Sequence, residues 1–126
     1  MYSETNIFGI ENPEAYFCQV WRYHRSHSRL LIRCYKDKFY NEEFYLLFGM
    51  VMYIEGPLSW QSADFCIGDS DECIKLLHPR GFEEIPEEGL LKTYRLYVVD
   101  LSDGRVVKIL AASHAEKTTS IPPDFF

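Results

Sequence analysis

The chain reads as an α+β protein built mainly from antiparallel strands, about six of them, joined by hairpins into a curved sheet or open barrel, with one helix near residues 70–78. Aromatic residues carry the first part of this reading. They make up 16% of the chain, as 9 Tyr, 9 Phe and 2 Trp, and aromatic and β-branched side chains favour strands. Turn signals carry the second part: Arg25-Ser26-His27, Gly56-Pro57 and Asp103-Gly104 punctuate apolar stretches of strand length. Helical spacing behind a capping residue is clearest from Asp69 to His78.

The first expected strand pair spans residues 14–24 and 28–38, around the turn at 25–27. If Arg25 opposes Ser28, charge segregates between the two faces. Phe17, Trp21 and Tyr23 then share one face with Leu30, Ile32 and Cys34. The other face receives Arg22, His24, Arg29 and Arg33, with Tyr16, Cys18, Val20, Leu31 and Tyr35. The first face is expected to be buried; the second is basic and aromatic. Residues 43–55 are apolar on both alternating faces, as in a central strand covered on both sides. A shorter strand follows over 60–67.

Asp69-Ser70-Asp71-Glu72 fits a capping box, in which Asp69 accepts from backbone N–H groups of the first turn and Glu72 reaches back. Cys73, Leu76 and Leu77 then form one apolar stripe. Pro79 stops this helix and leaves His78 at the negative end of its dipole. Residues 82–89 read as an acidic loop carrying Glu83, Glu84, Glu87 and Glu88. The last hairpin joins 90–101 to 105–112, because Asp103-Gly104 suits a two-residue turn with positive φ. That register places Leu96 and Val98 with Val107, Ile109 and Ala111, and Tyr97, Val99 and Leu101 with Val106 and Leu110.

With 126 residues the chain is sized for a single domain over 1–126, with residues 1–13 and 114–126 as loop-like tails. Its 47% hydrophobic and 25% charged residues are a folding composition, not a disordered one. Residues 1–14 lack the basic region and apolar run of a secretory signal. The longest apolar run, 44–54, has 11 residues broken by Gly49, too few to span a bilayer. A cytoplasmic protein without a membrane partner is expected. In that compartment Cys18, Cys34, Cys66 and Cys73 stay reduced. They form no CxxC pair and sit among apolar neighbours, so they read as buried thiols.

Charge is the most specific functional signal. The net charge is −6, yet six of the 13 basic residues, Arg22, Arg25, Arg29, Arg33, Lys36 and Lys38, fall in one window with a single acid, Asp37. The window carries +5, and the rest of the chain, with 7 bases and 18 acids, carries −11. The basic and aromatic face of Arg22, His24, Arg29, Arg33, Tyr16 and Tyr35 is therefore the leading binding candidate. It suits an acidic protein partner, this chain's own acidic loop, or the acidic loop of a second copy in a homodimer. The negative total disfavours nucleic acid. Anion or single-strand binding by stacking on the same face is kept as a second alternative.

Trp60 beside the Gly56-Pro57 turn, with Glu55 and Asp64, is a candidate ligand pocket; Cys18, on the expected face with Arg22, Arg33 and His24, is the nearest candidate for an activated thiol. His24 and His27 have H-x-x-H spacing but no third ligand and cationic neighbours, so no metal is expected. Asp69 and Asp71 resemble the opening of a calcium loop that lacks its later ligand and its Gly. None of G-x-S-x-G, G-x-G-x-x-G or G-x-x-x-x-G-K occurs, and no cofactor is expected. The sequence points to a non-enzymatic protein-interaction module. A small-molecule or enzymatic pocket in the curved sheet is the alternative.

Overall fold

Alternating apolar positions in the first two strands fix the centre of the fold. In a computed structural model, which describes residue 2, residues 4–37, residue 39 and residues 42–125, these strands are β1 (Phe17–His24) and β2 (Arg29–Tyr35). Lys38 of the basic window, with the end of the expected second strand, lies outside the described residues, as do Met1, Ser3 and Phe126 of the tails. The remaining strands are β3 (Phe44–Phe48), β4 (Tyr53–Glu55), β5 (Ser59–Gln61), β6 (Cys66–Ile67), β7 (Tyr94–Asp100), β8 (Val106–Ala112) and β9 (Glu116–Thr118). The helices are α1 (Ser70–Leu77) and α2 (Glu87–Thr93).

The fold is α+β with antiparallel strands throughout. It is built as two sheets, ordered β5-β1-β2-β3-β9 and β4-β8-β7-β6, and is not closed into a barrel. Inward residues of the first sheet (Cys18, Leu30, Ile32, Cys34, Leu46, Phe48) share one buried cluster with Tyr97, Val99, Val107 and Ile109 of the second. The outer face of the second sheet is covered by the helices, through Cys73, Ile74, Leu77 and Leu90 packed on Tyr94, Leu96, Val98 and Leu110. The layer order is thus helices, second sheet, first sheet, and then the outer face of the first sheet.

Two expected strands each divide between the sheets. Residues 43–55 become β3 and β4, separated at Gly49–Met52, where Met50 takes φ of 48°. The first half, β3, is covered on both sides as expected, with Phe44, Leu46 and Phe48 in the core between the sheets and Tyr45 and Leu47 under Phe125 and Ile121; the second half leaves for the other sheet. Residues 60–67 likewise split into β5 and β6. Strands that switch sheets do so through bends or bulges, which break one apolar run into two elements.

The β1–β2 register follows the expected one beside the turn, with His24 opposite Arg29, Tyr23 opposite Leu30 and Arg22 opposite Leu31. A β-bulge at Trp21 then shifts it, so that Val20 faces Ile32 and Cys18 faces Cys34. One extra residue moves every side chain before it to the other face. Cys18 and Val20 turn into the core. Phe17 and Trp21, expected inside, are 44% and 38% exposed. Tyr23 is 48% exposed.

The last hairpin is also one residue out of the expected register. Its loop is Ser102–Gly104, closed by Leu101 N–H donating to Arg105 O at 2.9 Å and Gly104 N–H to Leu101 O at 3.0 Å. Gly104 supplies the positive φ, 89°, of a three-residue loop. Val99 therefore faces Val107 and Tyr97 faces Ile109 on the inner side, and Leu96 pairs with Leu110 on the helix side.

At α1, Asp69 occupies the N-cap without a side-chain cap bond. Glu72 pairs with Lys108 of β8 instead of closing the capping box. The acidic stretch expected as loop contains the start of α2, whose N-cap is Pro86. Glu87 and Glu88 sit in its first turn, where carboxylates meet the positive end of the helix dipole. The tails are also built in. Ile10 is buried, Ile7 N–H donates to Phe65 O at 3.0 Å, and residues 114–126 contribute β9, paired with β3. Among the described residues, no helix is long and apolar enough to cross a membrane.

Candidate functional site

The outer face of the first sheet collects most of the predicted binding residues. β2 alternates Leu30, Ile32 and Cys34 inward, which sends Arg29, Leu31, Arg33 and Tyr35 outward. Arg22 joins them from β1 in the expected register, and the bulge adds Phe17 and Trp21. Rings and guanidinium stack across the strands. Phe17 lies on Tyr35 with centroids 6.0 Å apart and 24° between planes. Arg33 sits 4.5 Å over Trp21 and 5.6 Å from the centre of Tyr35. A cation over a tryptophan face contributes about 0.5–1 kcal/mol at an exposed site. It also fixes the indole, so Trp21 is presented in one orientation.

Glu43 compensates the buried side of this ladder. It forms an ion pair with Arg33 and accepts from Tyr45 Oη at 2.8 Å. Burial, and then the bond to Glu43, raises the Tyr45 pKa. The more exposed cations are Arg22 and Arg25. At the far end of the face the C-terminal segment folds over Leu31 and Tyr45 through Phe125 and Ile121. Arg29 and His24 border Phe125 at 5.0 Å and 6.1 Å. His24 and His27 lie ring to ring at 4.7 Å, and Ser26 Oγ is 3.2 Å from His24 Nδ1.

Arg22, His24, Arg29, Arg33 and Tyr35 are thus brought together. Tyr16 is not among them. It is buried against Phe44, 5.0 Å between ring centroids, and its hydroxyl donates to Glu42 at 3.2 Å. Lys36 joins it there, 2.6 Å from Glu42. The Lys36 ammonium lowers the Glu42 pKa, helped by Tyr16, and the same bond raises that of Lys36. Tyr16, Lys36, Glu42, Phe44 and Lys117 line an open cavity of about 470 Å³.

The pocket residues stand apart. Trp60 is 5% exposed in the core and donates from Nε1 to Ser62 O at 2.8 Å. Glu55 lies exposed on β4 in the other sheet and accepts from Tyr53 Oη. Asp64 accepts from Asn6 N at 2.9 Å. No hydrogen bond or ion pair joins any two of the three. Cys18 faces the core with its Sγ 3.3 Å from that of Cys34, and burial drives its pKa well up, so its thiol stays protonated. Among the described residues, no three His, Cys, Asp or Glu side chains converge as metal ligands.

The acidic stretch does not reach the basic face. Phe82 packs on Tyr94 at 5.4 Å, within the cluster on the helix side of the second sheet. Glu83, Glu84, Glu87 and Glu88 are exposed there. Among the described residues, none of the four pairs with an arginine; Glu88 lies 3.6 Å from Lys92. Sequence reasoning missed Phe17, Trp21, Glu43 and Phe125 as members of the site. The available signal was the adjacent pair Val20-Trp21 ahead of Arg22, three residues that no single alternation can place well.

Comparison with family models, curated proteins and solved structures finds no match for this chain.

Proposed function

We propose that the chain is a non-enzymatic interaction module that binds an acidic protein surface through the outer face of its first sheet. One observation carries this reading: the bulge at Trp21 turns Phe17 and Trp21 outward, 44% and 38% exposed, onto a face that also holds Arg22, Arg29 and Arg33. Aromatic and arginine side chains dominate the energetics of protein interfaces. Here they are pre-stacked, which lowers the entropy lost on binding. The cationic surround favours an acidic partner and speeds encounter. A ligand pocket has less support, because Trp60 is committed to the core and Glu55 and Asp64 to other bonds.

The test is a fluorescence titration of the Trp60→Phe protein, in which Trp21 is the only tryptophan, with poly-L-glutamate. A saturable change is expected. It should disappear in 1 M salt, where the Debye length falls to about 3 Å, and in the Arg22→Glu variant. No change, or an equal change with poly-L-lysine, overturns the proposal. Tighter response to a single-stranded oligonucleotide than to polyglutamate would reassign the face to nucleic acid. If Trp60→Phe does not fold, the difference between wild type and Trp21→Phe gives the same readout.

A further inference from the structure

The two oppositely charged surfaces lie on opposite sides of the molecule. The arginine and aromatic face is the outer side of the first sheet. The segment Phe82–Glu88 lies on the helix side of the second sheet, and the whole two-sheet core stands between them. A chain therefore cannot fold its own acidic segment onto its own basic face.

We infer that the acidic segment of one copy occupies the basic face of the next, so that the chain associates head to tail; this rests on the docking function proposed above and names the partner. The segment fits the chemistry of the face. Four exposed carboxylates, Glu83, Glu84, Glu87 and Glu88, flank Ile85, an apolar side chain 43% exposed. Carboxylates meet Arg22 and Arg25, and Ile85 meets the rings of Phe17 and Trp21. Pro86 and the start of α2 hold the segment in place, so little chain entropy is lost on docking. A two-fold dimer through the basic face would set Arg22, Arg25 and Arg29 against the same residues of the second copy, and like charges in register oppose that contact. The contact is heterologous, and each added copy leaves one face and one segment open.

Two variants test this, read by native mass spectrometry at low salt. Trp21→Ala/Arg22→Ala removes the face and keeps the segment. Glu83→Gln/Glu84→Gln/Glu87→Gln removes the segment and keeps the face. All the changed side chains are exposed, and circular dichroism checks that both variants fold. Wild type is expected as a series of dimer and larger species that collapses to monomer as salt rises. Each variant alone is expected as monomer. An equimolar mixture is expected to give a 1:1 heterodimer and nothing larger, because only one complementary contact remains. A wild type that stays monomeric overturns the inference, with the docking function then judged by the polyglutamate titration. A segment variant that associates like wild type overturns it too, while leaving the face as a docking surface. A face variant that associates like wild type overturns both.

Discussion

At the residue scale, burial sets the chemistry of the cysteines and of Tyr97. Cys18, Cys34, Cys66 and Cys73 are all buried free thiols. Burial pushes the Cys66 and Cys73 thiols up to about 11 and the Tyr97 phenol up to about 12. The thiolate is the reactive form, so the native protein at pH 8 is expected to resist labelling by a chromogenic disulfide reagent, and all four cysteines should react in urea. Fast stoichiometric labelling of the native protein would contradict this. The same groups set an alkaline limit. The unfolded chain loses these protons near pH 8.5 for Cys and 10 for Tyr, whereas the folded chain holds them. Their stabilisation is complete below about pH 8.5 and is lost as pH rises towards 12. The urea midpoint should fall steadily above pH 9; a flat midpoint to pH 11 would show that these groups are more hydrated than their burial indicates.

At the element scale, close approach of β6 to β7 depends on Gly68. Its N–H donates to Leu96 O at 2.7 Å, and an added Cβ would stand 2.8 Å from Val98 Cγ2 and 3.1 Å from Leu96 Cδ2. Gly68→Ala should cost about 1–3 kcal/mol by overpacking. Gly49→Ala, where an added Cβ meets nothing within 4 Å, should cost much less, and paired urea titrations compare the two. Equal losses would contradict the packing account. Elements with one strong local signal were legible in the sequence: α1 from its apolar stripe, the 25–27 turn, and the hairpin at Gly104. Registers were legible only up to the first irregularity. The run Val20-Trp21-Arg22 hints at an irregularity but does not say which residue β2 leaves unmatched, because a bulge is decided by which side chains the second sheet must cover. The same holds for the sheet change at Met50, which needs a left-handed backbone at an ordinary residue. Asp69 carried a clear capping signal, yet Glu72 pairs across to Lys108, a contact invisible until β8 is placed.

At the scale of the whole molecule, the charge asymmetry of the sequence becomes a polarity of the fold. The basic window divides in the fold: Arg22, Arg29 and Arg33 stay on the outer face, and Lys36 turns away to Glu42. The acidic stretch, by the layer order, is carried to the far side. Contact between copies is proposed at these two surfaces. Hydrogen exchange read by mass spectrometry, comparing the concentrated protein at low salt with the same protein diluted or in 1 M salt, tests this most directly. The account predicts slower exchange on association in two stretches, 16–35 and 82–93, with the rest of the chain unchanged. Protection centred instead on the exposed edge around Met50, Ile54 and Leu58, with 16–35 unaffected, would contradict it.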